Sequence, residues 1–176
     1  SDCRLIHIST DYVFDGTSPV PYSEEDIPSP ASAYGRSKLE GEKAAIRWPD
    51  TMIIRTSWLY SSYGNNFVKT ILRKAGSSQS LNVVFDQAGS PTYAADLAAA
   101  ILDVISGVIR NNHNFVQGIF NYSNEGVCSW FDLACEIIKE AGSPCEVIPV
   151  RSSAYPSKVK RPAYSVLDKT RIRESY

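Results

Sequence analysis

Apolar segments of strand length alternate with segments of helical pattern four times along this chain. The predicted strands cover 5–8, 52–60, 81–85 and 118–122, and the helices that follow them cover 29–47, 67–75, 93–105 and 129–141. A shorter, edge-like strand is predicted over 146–150. Pro30 is expected in the first turn of the first helix, and Ser129 with Asp132 is expected to form a capping box at the start of the fourth. Because parallel strands need a crossover connection, which is usually a helix, this order predicts an α/β fold with a parallel sheet and right-handed crossovers.

The composition of the chain restricts the classes of partner that it can have. A chain of 176 residues with 43% hydrophobic and 21% charged residues can form one compact domain with a core, which excludes intrinsic disorder. The net charge of −1 argues against a nucleic-acid partner, because binding to phosphates needs an excess of Lys and Arg. No apolar stretch approaches the roughly 18 residues of a membrane span. The sequence therefore predicts a cytoplasmic protein that binds neither nucleic acid nor membrane.

The four cysteines are scattered without a C-x-x-C pair, and the chain has only two histidines. Zinc sites and disulfide frameworks need more closely paired ligands. We therefore predict no metal site and expect the cysteines to be small buried residues.

The segment S-A-Y-G-R-S-K at 32–38 carries a tyrosine and a lysine four residues apart on a predicted helix. Positions four apart lie on one helix face, so Tyr34 and Lys38 present a phenol and an ammonium together. A free tyrosine is a weak acid at neutral pH, and a neighbouring cation favours the phenolate. Such a pair can protonate a carbonyl oxygen while a hydride reaches the carbonyl carbon.

Two hydroxyl residues stand at the carboxyl end of the strand that precedes this helix. Ligands of open α/β sheets bind outside that edge, so Ser9 and Thr10 are expected near the Tyr34 phenol. A hydrogen bond from Thr10 to the same carbonyl oxygen would complete a Thr-Tyr-Lys constellation. The alternative role of Thr10 is that of a turn or helix-cap hydroxyl.

Several motifs, in order and with their spacing intact, resemble those of dTDP-4-dehydrorhamnose reductase, an extended short-chain dehydrogenase/reductase family. They are S-T-D-Y-V-F-D-G at 9–16, Y-G-R-S-K-L-E-G-E at 34–42, R-T-S-W-L-Y at 55–60, N-N-F at 65–67, D-Q-x-G-x-P-T at 86–92 and R-P-x-x-S-x-L at 161–167. The resemblance implies a partial doubly wound, Rossmann-type parallel sheet with a smaller substrate-binding subdomain. In this reading, 1–60 is the second half of a dinucleotide-binding domain. Residues 61–176 are then mainly the substrate-binding part, with 93–125 returning to the dinucleotide-binding sheet.

The resemblance also implies roles for individual residues. Tyr34 would donate the proton to the C4 oxygen of the sugar, Thr10 would polarise that carbonyl, and Lys38 would hold the nicotinamide ribose and favour ionisation of the tyrosine. The implied cofactor is NADPH or NADH, bound by Ser9, Tyr34, Lys38 and Thr56. The implied substrate contacts are Asp11, Tyr12, Trp58, Asn66 and Arg161.

Three of these substrate contacts have a plain structural alternative. For Trp58 the alternative is a core aromatic residue after a strand, and for Asn66 it is a helix cap. Arg161 ends a basic run that begins at Lys158, and such a run is often a solvated surface. Magnesium as a second cofactor and a homodimer as the assembly stay open.

The activity implied by the family is reduction of the 4-keto group of dTDP-6-deoxy-L-lyxo-4-hexulose to dTDP-L-rhamnose, the last step of that biosynthesis. Related dehydratases carry Glu where this chain has Tyr12, which favours a reductase. The alternatives are a reductase or epimerase of another nucleotide sugar, or a non-catalytic regulatory subunit of the same fold. The chain contains no G-x-x-G-x-x-G turn, so we expect on the order of 100 residues of the dinucleotide fold to lie upstream and the chain alone to be nearly inactive.

Overall fold

The computed structural model describes residues 3–154 and 161–176. The nine strands among them are β1 Leu5–Thr10, β2 Thr51–Thr56, β3 Leu59–Tyr60, β4 Ser80–Val84, β5 Ala88–Gly89, β6 Thr92–Tyr93, β7 Gly118–Tyr122, β8 Cys128–Ser129 and β9 Glu146–Val150. The five α-helices among them are α1 Ala33–Ala45, α2 Phe67–Ala75, α3 Ala94–Ile109, α4 Trp130–Glu140 and α5 Thr170–Ser175. The α/β class predicted from the sequence is confirmed.

The largest sheet is parallel and has the strand order β1-β2-β7. Every residue of the central strand β2 is buried. Its side chains pack with α3 and α5 in a core whose buried members are Met52, Ile54, Leu97, Val104, Phe120 and Ile172. This sheet brings the carboxyl ends of β1 and β2 side by side, with Thr10 opposite Thr56.

The strand predicted at 81–85 lies outside that sheet, so the alternation of strands and helices alone does not decide which strands pair. It forms β4, which pairs in parallel with β9 in a separate two-stranded sheet. Burial alternates along β4, with Leu81 and Val83 inside and Ser80 and Asn82 outside. Helices α2 and α4 cover only its inner face, so β4 has the one-sided burial of a small sheet rather than the complete burial of β2.

Helix α1 begins at Ala33, so the prediction of a start near residue 29 with Pro30 in its first turn is wrong. Ser32 is the N-cap, because its hydroxyl oxygen accepts a hydrogen bond from the Gly35 N–H at 3.0 Å. Helix α3 extends four residues beyond the predicted end at 105, since its C-cap is Arg110. The predicted capping box at Ser129 and Asp132 is confirmed, as is the Asn66 cap of α2.

The predicted strand over 52–60 is interrupted after Thr56. Trp58 has a φ of 47°, in the left-handed region, and this turns the chain out of the sheet. Leu59 and Tyr60 then form β3, which pairs with β6. The interruption places the Trp58 side chain at the edge of the main sheet instead of continuing the strand.

A third core lies under the carboxyl end of β1. The turn that follows β1, Asp11–Val13, leads into Phe14, which stacks on Tyr22 with ring centroids 4.2 Å apart. Val13 and Phe14 are almost completely buried, together with Leu167. This packing holds the end of β1 in a fixed position relative to the C-terminal segment.

The cysteines follow the prediction only in part. Cys145 is buried in the core of α2, α4, β4 and β9, whereas Cys3 is exposed. No helix in the described part of the chain is long and apolar enough to cross a membrane.

Candidate active site

An open cavity of about 210 Å³ lies at the carboxyl ends of β1 and β2. It is lined by residues of β1, β2, α1, α4 and the turns that follow the strands: Ser9, Thr10, Asp11, Tyr12, Tyr34, Thr56, Ser57, Trp58, Leu59 and Trp130. Seven of the residues predicted from the sequence are therefore brought together. This is the edge at which open parallel sheets bind their ligands.

Helix α1 presents Tyr34 at the rim of this cavity. The Tyr34 side chain is 53% exposed, and its ring meets the Tyr12 ring edge-to-face with centroids 5.7 Å apart. The helix approaches the turn after β1 so closely that a Cβ at Gly35 would overlap the Tyr12 carbonyl oxygen. Glycine at this position is thus what allows the phenol to reach the end of the strand.

Lys38 lies one helical turn beyond Tyr34 and is fixed to β1. Its ammonium donates a hydrogen bond to the Ile8 carbonyl oxygen at 2.6 Å. An ammonium has three donors, so this contact leaves two for another partner. Burial, followed by the nearby Lys38 charge, lowers the pKa of His7, which keeps that imidazole neutral at pH 7.

Thr10 and Asp11 form the floor of the cavity. The Thr10 hydroxyl donates to Asp11 Oδ1 at 2.9 Å and accepts from the Tyr12 N–H at 3.3 Å. Thr10 is thus the N-cap of the turn after β1, in agreement with its alternative role, and it also lines the cavity. Burial raises the pKa of Asp11 to about 6, whereas the Ser165 and Thr10 hydroxyls and the backbone lower it.

The indole of Trp58 forms one wall of the cavity. It stacks on the indole of Trp130 with centroids 3.5 Å apart and planes 6° from parallel. Phe67 lies against the other indole, 4.5 Å from it. A Cβ on Gly89 would come within 2.5 Å of the Trp58 ring, so a glycine there makes room for the stack.

A buried ion pair is hydrogen-bonded to Ser9, one of the residues that line the cavity. Arg55 on β2 donates through Nε to Glu42 Oε1 at 3.0 Å and through Nη2 to Glu42 Oε2 at 2.8 Å. The Ser9 hydroxyl donates to the same carboxylate, and the guanidinium lies 5.0 Å from the centroid of the Phe14 ring. Ser9 has therefore committed its only hydrogen, and only its lone pairs are free for a cofactor.

Thr56 has an unpartnered polar group in this cavity. Its hydroxyl is buried and has no hydrogen-bond partner among residues 3–154 and 161–176. A buried hydroxyl without a partner is costly, so a polar ligand group at this place would stabilise it. This orphaned hydroxyl and the two unused donors of Lys38 fit the polar groups of a nicotinamide nucleotide.

Two predicted substrate residues do not line this cavity. Asn66 uses its side chain as a cap: Oδ1 accepts from the Lys69 N–H at 3.1 Å and Nδ2 donates to the Ser61 carbonyl at 2.7 Å. Arg161 lines a second cavity of about 320 Å³, together with Lys74 and Trp130. Trp130 borders both cavities. Lys158 and Lys160, which precede Arg161 in the basic run, lie outside the described residues.

Comparison with known proteins identifies the family. The sequence model of the RmlD substrate binding domain matches residues 1–176. The chain belongs to the RmlD substrate binding domain family.

The curated relatives of this RmlD-family chain are longer than the chain. It is 44% identical over 173 residues to the spore coat polysaccharide biosynthesis protein SpsK of Bacillus subtilis, covering 98% of this chain and 58% of the relative. It is 43% identical over 177 residues to dTDP-4-dehydrorhamnose reductase of Sinorhizobium fredii, covering 98% of this chain and 60% of that enzyme. The chain thus spans about three fifths of the length of these relatives.

A solved structure from the same family shows the same fold. The dTDP-4-dehydrorhamnose reductase of Bacillus anthracis, crystallised in complex with NADP, superimposes with a TM-score of 0.90 at 40% identity. The match covers 97% of this chain and 59% of that one. The Rossmann-type fold class predicted from the sequence is therefore confirmed for the RmlD-family chain.

Among the residues that line the cavity of this RmlD-family chain, sequence reasoning missed Ser57, Leu59 and Trp130. It also missed the buried pair of Glu42 and Arg55. Glu42 lies one turn after Lys38 on α1. Arg55 is the one charged residue in the buried strand β2, and that charge was the available signal. Trp130 gave no such signal, because it lies far from Trp58 in the sequence. Within 3–154 and 161–176 no three or more His, Cys, Asp or Glu side chains come together as a metal site.

Proposed function

We propose that this chain forms the proton-donating and substrate-binding part of an NAD(P)H-dependent ketoreductase of dTDP-sugars. The proposed reaction reduces the 4-keto group of dTDP-6-deoxy-L-lyxo-4-hexulose to dTDP-L-rhamnose. One observation carries the proposal: the Tyr34 phenol and the Thr10 hydroxyl line one cavity, and Lys38 lies one helical turn from Tyr34. The names of the Sinorhizobium and Bacillus anthracis relatives support the substrate class.

Each group has a distinct part in this reaction. The nicotinamide cofactor, when bound, supplies a hydride to C4 of the sugar. Tyr34 donates its phenolic proton to the C4 oxygen, so the ketone becomes a secondary alcohol. Thr10 donates a hydrogen bond to the same oxygen, which stabilises the negative charge that develops there. Lys38 holds the ribose hydroxyls through its two remaining donors, and Thr56 offers a further hydroxyl; Ser9 contributes lone pairs only.

The rest of the substrate is placed along the two cavities. Tyr12 and Trp58 border the sugar, with Asp11 beneath it. Arg161, in the neighbouring cavity, offers a guanidinium to the diphosphate, a pairing that is strong when it is bidentate. Asn66 stays a predicted substrate residue, although its described contacts are those of a helix cap.

The division of the chain belongs to the same proposal. Residues 1–60, together with 93–125, supply the half of the dinucleotide-binding sheet that carries the catalytic residues, and the remainder is mainly substrate-binding. The membership of β1, β2 and β7 in one sheet, and of β4 and β9 in another, supports this division. A cytoplasmic location and a homodimer stay predictions, and magnesium is assigned no residue.

The test is NADPH and NADH oxidation by the complete protein that carries this sequence, supplied with the dTDP-4-keto sugar. Tyr34→Phe removes only the proton donor, so we expect the rate to fall by about 10²- to 10⁴-fold. Tyr63→Phe makes the same change at a tyrosine that is 85% exposed on a loop and should leave the rate unchanged. An unaltered rate in Tyr34→Phe would refute the assignment of the acid. Failure of the unmodified protein with both cofactors would point to another nucleotide sugar or to a regulatory subunit.

A further inference from the structure

The single hydrogen of the Thr10 hydroxyl is already in use. It is donated to Asp11 Oδ1 at 2.9 Å, while one lone pair of the Thr10 oxygen accepts the Tyr12 N–H at 3.3 Å. A hydroxyl has one donor and two acceptor lone pairs. In this arrangement Thr10 has no hydrogen to offer to a carbonyl oxygen, although the proposed function requires one.

We infer that Asp11 is a positioning residue that controls the direction of the Thr10 hydroxyl through its own state of protonation. As a carboxylic acid, Asp11 donates to the second lone pair of the Thr10 oxygen, and the Thr10 hydrogen is released toward the substrate carbonyl. As a carboxylate, Asp11 accepts the hydrogen bond from the Thr10 hydroxyl, as in the present structure. The inference rests on the proposed function for its catalytic consequence, but the coupling of the two side chains stands by itself.

The surroundings of Asp11 make both states accessible. Its side chain is buried, with a residue exposure of 2%, and burial raises its pKa to about 6. The Thr10 hydroxyl donates to Oδ1, whereas Oδ2 is buried without a hydrogen-bond partner among the described residues. The Thr10 and Ser165 hydroxyls lower the pKa and so favour the charged form. Tyr12 is the titratable neighbour in the same turn.

The charged side chains of the neighbouring elements are not among the groups that shift the pKa of Asp11. The phenol of Tyr12, whose pKa is raised first by burial and then by the Asp11 charge, is in turn influenced by Arg161 and Tyr34. Lys38 on α1 is bound to the Ile8 carbonyl, and Arg55 on β2 is bound to Glu42. The protonation of Asp11 therefore depends chiefly on its burial and on the hydroxyls around it.

The sign of the pH dependence follows from this geometry. Below the pKa of Asp11 the acid form predominates and Thr10 can assist the carbonyl; above it, the carboxylate withdraws the hydroxyl hydrogen. In the complete protein, kcat/KM for the dTDP-4-keto sugar should therefore fall by up to about tenfold for each pH unit above pH 6, until the rate without Thr10 assistance is reached. Asp11→Asn cannot titrate and should lose this limb of the profile.

Asp103→Asn is the matched control, because it makes the same change on an exposed position of α3 and should keep the limb. Thr10→Ser retains a hydroxyl and should keep it as well. A limb that persists in Asp11→Asn, or a flat profile in the unmodified protein between pH 5 and 8, would overturn the inference while leaving the Tyr34→Phe result intact.

A second measurement needs neither substrate nor turnover. The carbon-13 shift of the Asp11 carboxyl, followed by pH titration of the same protein, reports its pKa directly. Thr10→Val removes the hydrogen bond that stabilises the carboxylate, so the pKa of Asp11 should move upward, whereas Thr10→Ser should leave it near its original value. An Asp11 pKa that does not change in Thr10→Val would contradict the coupling even if Asp11→Asn failed to fold.

Discussion

At the residue scale, the buried ion pair of Arg55 and Glu42 fixes the position of the carboxyl end of β1. Both side chains are almost completely buried, and their two hydrogen bonds compensate in part for the loss of water, because Arg55 Nη1 has no hydrogen-bond partner among the described residues. The carboxylate also accepts the Ser9 hydroxyl, which ties the last residues of β1 to α1. The pair therefore holds the strand that carries Thr10 against the helix that carries Tyr34.

Removal of one partner of this pair should be costly. Glu42→Gln keeps the shape of the side chain but leaves the Arg55 charge buried without a counter-charge, so the free energy of unfolding should fall by about 3 kcal/mol or more. Glu40→Gln makes the same change two residues earlier on α1, where the carboxylate pairs with Lys43 at the surface, and should change stability by less than about 0.5 kcal/mol. Urea unfolding of the three proteins measures the difference. Equal stability of both variants would mean that the buried pair has no structural role.

At the element scale, the close packing of α1 on the turn after β1 sets the geometry of the site. Gly35 lies where any side chain would overlap the Tyr12 carbonyl oxygen, and it directly follows Tyr34. The helix therefore needs a glycine at a place where helix propensity alone disfavours it.

Two glycine substitutions on α1 distinguish the effect of close packing on stability from the effect of helix propensity. Gly35→Ala should push the helix away from the turn, lower the free energy of unfolding by about 1–3 kcal/mol and reduce turnover by displacing Tyr34. Gly41→Ala lies on the same helix, where the nearest atom to a new Cβ is His7 Nε2 at 3.4 Å. It should instead stabilise the protein by about 0.5–1 kcal/mol, because alanine favours the helix. Thermal unfolding and NADPH oxidation of both variants test this. Equal stability and equal turnover of the two variants would show that the contact between Gly35 and the Tyr12 carbonyl does not restrict the packing of α1.

The break after β2 is a second determinant at this scale. Trp58 adopts a backbone conformation that costs energy for a residue with a side chain, and the stack on Trp130 offsets that cost. The strained turn aims the indole into the cavity. A strand that continued to Tyr60, as the apolar pattern predicts, would not place it there.

At the scale of the whole molecule, Trp130 joins the two cavities. It begins α4, which packs on the β4–β9 sheet, yet its ring stacks on Trp58 beside the three-stranded sheet. A ligand that extends from Tyr34 to Arg161 would therefore pass this indole.

The corresponding prediction concerns ligand affinity rather than chemistry. Trp130→Ala removes a wall shared by both cavities, so the affinity for the proposed dTDP-sugar ligand, measured by calorimetry on the complete protein, should fall by about tenfold or more. Phe131→Ala removes the neighbouring aromatic residue, which packs in the same core but borders neither of these two cavities. It should destabilise the protein while leaving the affinity of the folded fraction nearly unchanged. An equal loss of affinity in both variants would indicate a general effect on folding.

Local patterns in the sequence were sufficient for most of the longer elements and for the reactive pair, but not for helix α5 or for the two-residue strands β5, β6 and β8. The spacing of Tyr34 and Lys38 on one helix, the caps at Asn66 and Ser129, and the strand at 118–122 depend on residues within a few positions of one another. The place of Thr10 at the end of a predicted strand identified it as a site residue, the family resemblance added Thr56 and Trp58, and all three line the cavity. The elements and caps could be predicted because periodicity and capping act over short distances along the chain.

Only the tertiary structure decided which distant side chains meet. The split into two sheets, the Trp58–Trp130 stack, the Arg55–Glu42 pair and the burial of Asp11 against Thr10 all depend on how helices and strands pack in space. The sequence pattern does not contain these contacts, because burial and charge compensation belong to the assembled core and not to any one segment. The polarity of the site, including the protonation of Asp11, therefore follows from packing, whereas the positions of the strands and of the tyrosine–lysine helix follow from the order of the residues.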